Sequence, residues 1–280
     1  MSEEEAHPQD AGPKSGQACV LVEFRDDIAV VTLNRPAQLN AIDVAMATEL
    51  SAVFTSMNER KDVRVILLRG AGRHFSAGAD LDSDAFASPG PGFARKQMQI
   101  QHIFSGLIRS MRTCPQPIIA LLHGAAVGGG FSIALAADVR IAAEGGRMNA
   151  GYLLVGLGGC DMGSGYFLPR LVGASVASEL LLTGEFIDAE RALTCGLVSR
   201  VVDREALLKT GLEMASAMTR ASPMGLRMTK ESLNACLTGA DLDTVLNLED
   251  RQQVLLMGTE DHREAVLAFK EKRDPVYTDS

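Results

Sequence analysis

An α/β fold followed by a helical C-terminal portion is the architecture this sequence predicts, and three observations predict it. Short apolar, β-branched runs alternate with helical patterns between Gln17 and Asp203, as strands and helices sharing one layered core do. From Glu179 onward strand-like runs nearly vanish, apart from Leu197 to Val202, and helical periodicity takes over. The 280 residues are 46% hydrophobic and 22% charged, which supplies ample apolar material for a core.

In chain order, residues 1–16 are rich in Glu, Pro and Gly with almost nothing apolar to bury, and they read as a disordered tail. The α/β core is expected over 17–203 and the helical C-terminal region over 204–280. Val20 to Phe24 and Ile28 to Leu33 are β-rich runs on either side of Asp26-Asp27, a hairpin signal. A helix should start near Asp43, because Met46, Leu50, Val53, Phe54 and Met57 fall at i, i+4, i+7, i+8 and i+11. Val63 to Leu68 reads as a buried strand closed by Gly70-Ala71-Gly72, and a glycine-containing loop, Phe75 to Leu81, follows. Ser88 to Gly92 is a flexible connection to a helix over Arg95–Met111; Pro117 then opens a strand through Leu122.

Gly128-Gly129-Gly130 leads into a short helix over Phe131–Ala137, and Asp138 to Ala143 is again strand-like. Ile118 to Ala143 as a whole is strongly apolar. The triple glycine and the polar His123, Asp138 and Arg140 interrupt it, so it suits buried strand–turn–helix–strand packing and not a membrane span, which needs about 20 uninterrupted apolar residues. Helices are expected over Glu205–Arg220 with Asp203 near its start, over Pro223–Leu237 capped by Ser222, and over Asp241–Met257 and Glu260–Lys272. No repeat with a period of 20–50 residues is present.

Composition removes several functions. The net charge is −8, with 27 Lys+Arg against 35 Asp+Glu, which argues against a nucleic-acid binder. Five scattered cysteines with no CxxC pair argue against a disulfide framework or a structural zinc site, and fit a reducing, cytoplasmic compartment. No charged-then-apolar leader is seen at the start, so secretion is not expected. No ligand cluster implies a metal.

Two turns carry the chemistry. Each follows a buried strand: Phe75-Ser76-Ala77-Gly78-Ala79-Asp80-Leu81, and His123-Gly124-Ala125-Ala126-Val127-Gly128-Gly129-Gly130-Phe131-Ser132. Small residues admit a ligand close to the backbone. The second turn also feeds a helix N-terminus, where free N–H groups stabilise negative charge developing on oxygen. The glycines equally serve a tight turn and close packing. Other glycine-loop readings fail on spacing: Gly70-x-Gly72 lacks the third glycine of a dinucleotide fingerprint, and there is no GxxxxGK[ST]. Gly130-Phe131-Ser132-Ile133-Ala134 is a partial nucleophile elbow, but His262 is the only later histidine and lies in a polar helix start.

Together the turns resemble the crotonase superfamily, the enoyl-CoA hydratase/isomerase family. Further resemblance lies in Leu33-Asn34-Arg35-Pro36 with Leu39-Asn40-Ala41, in Leu182-Thr183-Gly184 with Ala192 and Gly196-Leu197-Val198, and in Thr259-Glu260-Asp261 with Ala268 to Pro275. It covers roughly residues 17–277. The resemblance implies a crotonase-like spiral of ββα turns with a helical C-terminal trimerisation region, a homotrimer or dimer of trimers. It also implies a coenzyme A thioester as substrate, with coenzyme A arriving as part of it and no separate cofactor, as in fatty-acid degradation. The thioester oxygen would sit between the N–H groups of Ala77 and Gly129. Ser76, Ala77, Ala79 and Asp80 would border the CoA path, with Lys272 a phosphate contact. Ala37-Gln38 stands where many relatives carry a basic residue.

The two glutamates with which hydratases hold and activate water are replaced by Ser132 and Tyr152, neither a good base near neutral pH. Asp161, in Cys160-Asp161-Met162-Gly163, instead resembles the proton-shuttling aspartate of the dienoyl-CoA isomerase branch. It is the expected general acid/base; a helix-capping role is the alternative. Asp80 is a second catalytic candidate and equally a structural turn residue. His74 and His123 read as scaffold, Cys160 as inert. Double-bond isomerisation or enoyl hydration is expected; thioester binding without turnover and thioester hydrolysis stay open. Ala85, Phe86 and the Pro89–Gly92 loop are expected to border the acyl pocket.

Overall fold

The computed structural model describes residues 18–83 and 90–280. The predicted tail over 1–16 and Ala85, Phe86 and Pro89 of the predicted acyl-pocket border lie outside the described residues.

The hairpin forms as read, with β1 (Val20–Arg25) and β2 (Ile28–Leu33) antiparallel around Asp26. Then come α1 (Val44–Ser56), β3 (Val65–Gly70), α2 (Phe93–Thr113), β4 (Ile118–Leu122), β5 (Ala125–Val127), α3 (Gly129–Ala136), β6 (Val139–Ala143) and β7 (Arg147–Asn149). Next are α4 (Ser164–Val172), α5 (Ala174–Thr183), β8 (Ile187–Asp188), α6 (Ala189–Thr194) and β9 (Arg200–Val202). The chain ends in α7 (Leu207–Thr219), α8 (Pro223–Leu237), α9 (Leu242–Met257) and α10 (Glu260–Glu271). Asp43, Ser222, Asp241 and Thr259 cap α1, α8, α9 and α10 through their side chains, each satisfying a helix N–H that has no partner within its own helix.

The six-stranded sheet has the order β1-β2-β3-β4-β6-β9 and is parallel from β2 to β9. Its central strands read as continuous apolar runs because both faces are covered. Ala29, Val31, Ile66, Leu68, Ile118 and Ala120 face the main core with α1 and α2. Val30, Val65, Leu67, Ile119 and Leu121 face a second core closed by Leu207 and Ala215 of α7. α7 comes in close at Gly211, where an added Cβ would sit 2.8 Å from a methyl of Leu121. Ile118 to Ala143 is β4, β5, α3 and β6, all built into this core. No helix among the described residues is long and apolar enough to cross a membrane.

Among the features that differ from the sequence reading, two bear on the site. A second sheet, β5-β7-β8, was not foreseen. Its strands of two or three residues are too short to show a period of two, and pairing alone creates them. Helix α3 begins at Gly129 and not at Phe131, since burial against the first turn, not glycine propensity, sets its start.

A partly buried ion cluster fastens the C-terminal helices to this core. Asp138 accepts Arg112 of α2 at 2.9 Å and the Ile118 N–H at 2.8 Å. It also accepts Lys230 of α8 at 2.9 Å, and Lys230 is only 4% exposed. Lys230 further donates to the Gln116 carbonyl at 2.9 Å.

Candidate active site

Asn40 holds the first turn in place. Fully buried and at φ 55°, it donates from Nδ2 to the carbonyls of Ala71 (2.8 Å), His74 (2.9 Å) and Phe75 (3.2 Å), and accepts the Arg35 N–H at 2.9 Å. The turn then runs beside β5: Phe75 N–H donates to the His123 carbonyl, Ser76 N–H to Ala125, and Val127 N–H back to Ser76. Asn40→Ala would leave several buried groups unpaired, and unfolding should become easier by about 2–4 kcal/mol, which a urea titration measures.

The hydrogen bonds decide which turn N–H groups are available to a ligand. Ala77 N–H donates to the Leu39 carbonyl at 2.9 Å and Asp80 N–H to Ile42 at 3.0 Å. Gly78 N–H donates to Ser76 Oγ at 3.1 Å. Over residues 75–80, only Ala79 N–H has no acceptor among the described residues. On the second turn, Gly128 N–H is taken by the Asn149 carbonyl at 3.0 Å. Gly129 N–H, at the start of α3, has no acceptor among the described residues. The two free donors are neighbours: a Cβ placed on Gly129 would be 3.9 Å from Ala79 N. The expected pair, Ala77 with Gly129, is therefore corrected by two residues to Ala79 with Gly129, because the Ala77 N–H is consumed in holding the turn.

These donors open into a cavity of about 450 Å³. Its walls are mostly apolar: Leu81, Phe93, Ile100, Phe104, Val155, Leu157 and Met162 among others. One face of α2 supplies Phe93, Gln97, Ile100, Gln101 and Phe104. Gly78 and Gly130 allow the turns to meet. Gly78 has φ 94°, and a Cβ there would lie 2.8 Å from the Val127 carbonyl oxygen; at Gly130 it would lie 2.6 Å from Ser76 Cβ. Gly130→Ala should force the two turns apart, lowering the melting temperature and weakening thioester binding at least about tenfold, measured by calorimetry.

Asp161 is the one acidic side chain lining the cavity among the described residues. Its Oδ1 accepts the Met162 N–H at 2.7 Å and the Gln101 amide, and Oδ2 has no hydrogen-bond partner among the described residues. Burial raises its pKa above the ordinary carboxylate value, opposed by the Met162 and Gln101 hydrogen bonds. The capping alternative is not what the geometry shows: the residue preceding α4 is Gly163, which carries no side-chain cap.

Ser132 and Tyr152 share a 2.6 Å hydrogen bond between hydroxyls, and Ser132 Oγ also donates to the Asp161 carbonyl at 3.0 Å. Burial raises the Tyr152 pKa, so the pair is neutral across the physiological range. The Asp161 backbone is thus tied to both positions where hydratases are expected to carry glutamates.

Four of the expected site residues, Ala77, Ala79, Gly129 and Asp161, line the cavity. Three are placed elsewhere. Ser76 is fully buried with Oγ on the Asn40 carbonyl at 2.8 Å. Asp80 forms an ion pair with Arg35 at 2.8 Å, fixing the turn to the Asn34-Arg35-Pro36 segment, so it is not positioned to move a proton in the cavity. Lys272 is an exposed left-handed C-cap of α10 outside the cavity lining. His123 and His74 are held by backbone, at Gly72 O (3.2 Å) and Ala125 N (3.0 Å); burial lowers both pKa values, that of His123 to about 4. Gln101 was missed by sequence reading; its spacing from Phe93, Gln97 and Phe104 on one helix face is the signal that would have found it. No group of three His, Cys, Asp or Glu among the described residues is arranged to hold a metal.

Comparison with known proteins shows the family. Residues 23–280 match the family described as enoyl-CoA hydratase/isomerase. A probable enoyl-CoA hydratase of Mycobacterium tuberculosis is 37% identical over 276 residues, covering 96% of each chain. The 1,2-epoxyphenylacetyl-CoA isomerase of Escherichia coli is 33% identical over 92% of this chain and 98% of its own. The crystal structure of an enoyl-CoA hydratase from Bacillus anthracis superposes with a TM-score of 0.88 at 32% identity, covering 94% of this chain and all of that one.

Proposed function

Since this chain belongs to the enoyl-CoA hydratase/isomerase family, we propose that it moves a double bond along an enoyl- or dienoyl-CoA thioester, with Asp161 carrying the proton. The observation that carries this reading is that, among the described residues, one carboxylate lines an apolar cavity, beside two backbone N–H groups without acceptors and a neutral hydroxyl pair. The Asp161 carboxylate removes a proton from the carbon α or γ to the thioester carbonyl. The C–H electron pair moves into the conjugated system and the oxygen becomes an enolate. The N–H groups of Ala79 and Gly129 stabilise that oxygen, each donor contributing about 3–4 kcal/mol by the usual magnitude. The carboxylic acid formed on Asp161 then returns the proton to the other end of the dienolate, so no atom is gained or lost. The isomerase named among the relatives acts on an epoxide-bearing CoA thioester, which supports isomerisation of a CoA thioester in general; the hydratases named there keep enoyl hydration as the second reading.

The test is an ultraviolet time course with a 3,5-dienoyl-CoA. New conjugation is expected with the native protein. Demonstrable binding without spectral change would overturn isomerisation of this substrate class and favour hydration or binding without turnover; free coenzyme A would indicate hydrolysis. Asp161 works in this step as a carboxylate, and burial raises its pKa. Activity should therefore fall as pH drops through a value above the ordinary carboxylate range, and a pH profile of kcat/KM reads that limb.

The same reading includes a homotrimer or dimer of trimers. Leu242, Val254, Leu255, Met257 and Phe269 are between 58% and 86% exposed on α9 and α10, apolar side chains that a partner subunit would cover. Light scattering should give three or six chains per particle. A cytoplasmic setting suits five free cysteines, and fatty-acid degradation suits the thioester class. The domain division at 203/204 goes with this assembly, with α9 and α10 offering the shared surface while α7 packs on the core sheet.

A further inference from the structure

Gln101 lies outside every motif by which the sequence pointed to a site, yet it makes one of the two hydrogen bonds to the Asp161 carboxylate, both on Oδ1. The Met162 N–H cannot be varied by side-chain substitution, and it is directed by a left-handed backbone at Met162, φ 47°. Gln101 projects from helix α2 into the same cavity, on the same stripe as Phe93 and Phe104. The two bonds converge on one carboxylate oxygen and leave the other without a partner among the described residues.

We propose that Gln101 is a positioning residue for proton transfer: its amide fixes Oδ1 of Asp161 against the wall and leaves Oδ2 as the single oxygen that exchanges a proton with the bound thioester. The inference rests on the reading of Asp161 as the proton carrier. A carboxylate turning about its last bond would present either oxygen, and a bond that removes this freedom shortens the search for a reactive geometry.

The surroundings make this bond matter. Asp161 has no ion-pair partner among the described residues. From α3 it is approached by Ser132, from the segment before α4 by Cys160 and Met162, and from α4 by Ser164, whose Oγ accepts the Asp161 N–H at 3.1 Å. Tyr152 and Cys160 are the nearby titratable groups, and neither carries positive charge. Burial opposes ionisation of Asp161, and the Gln101 amide is one of two groups that favour it. An amide donor stabilises the charged form over the neutral one, so Gln101 also keeps the base available.

The experiment pairs two substitutions with opposite expected signs. The Asp161 carboxyl is followed by carbon NMR in protein labelled at aspartate, with Asp161→Asn assigning its resonance, in the native protein, Gln101→Leu and Gln101→Lys. Gln101→Leu should raise the Asp161 titration by about one pH unit, and Gln101→Lys should lower it by placing an ammonium there. With a 3,5-dienoyl-CoA, the acidic limb of kcat/KM should move in the same two directions, and Gln101→Leu should lower kcat about tenfold at the pH plateau with KM changed less than twofold. A loss of packing alone would move both variants the same way. A carboxyl titration unmoved in both variants, or moved in one direction by both, overturns the assignment. The NMR titration decides this without turnover; the reading of Asp161 as proton carrier fails separately, if Asp161→Asn keeps the native rate.

Discussion

Asp161→Asn is expected to lower kcat/KM on a dienoyl-CoA by about 10²–10⁴-fold, the usual contribution of a positioned acid–base group, while leaving thioester affinity within a few fold. The substitution is nearly isosteric. Its amide oxygen can still accept the Met162 N–H and the Gln101 amide that Oδ1 accepts in the native protein, so the segment leading to α4 keeps its shape. The amide cannot take a proton. Affinity should survive because Ala79, Gly129 and the apolar wall are untouched. Asp80→Asn is the natural control: its carboxylate is engaged with Arg35, so turnover should fall less than about tenfold, through a loosened turn. Measuring both variants by ultraviolet time course and by binding of a non-reactive thioester separates the roles. Comparable losses in the two would refute the assignment of Asp161 as sole proton carrier.

Asp138→Ala should produce the largest loss of stability. This carboxylate neutralises Arg112 and Lys230 and accepts the Ile118 N–H. Removing it leaves the ammonium of Lys230 buried against carbonyls alone. Breaking such a pair from one side costs about 3–5 kcal/mol, and the melting temperature should fall by on the order of 10 °C for a domain of this size. Because the stranded charge is the larger part of that cost, adding Lys230→Met should recover more than about 1 kcal/mol. Denaturant titration of the single and double variants checks both statements. A single-variant loss below about 1 kcal/mol would show that α8 is held by apolar contact instead.

Much of the core was legible because its signals are local. The hairpin around Asp26, the helix starts near Asp43 and Asp241, the cap Ser222, and the continuous apolar runs of β3 and β4 follow from periodicity and end chemistry within a few residues. The two glycine turns were legible as a site for the same reason. What periodicity could not supply was the bond partner of each N–H. Ala77 and Ala79 are identical residues two apart in one turn, and their roles separate only because Leu39, from a distant segment, takes the Ala77 N–H. The spacing of Gln101 in α2 could have placed it on the cavity face, but nothing in α2 says that its amide meets a residue 60 positions later.

The sequence by itself therefore determined the α/β class, the family, the pair of turns and the absence of the hydratase carboxylates, all properties of residue type and short spacing. The tertiary structure decided which backbone donors are free, that Asp80 is bound to Arg35 while Asp161 reaches the cavity, and that Ser132 and Tyr152 neutralise each other's hydrogen-bonding needs. The physical reason is that a group's chemistry depends on which partners have already claimed its hydrogen bonds and how far burial has removed its water, and both are settled by segments far apart in the chain.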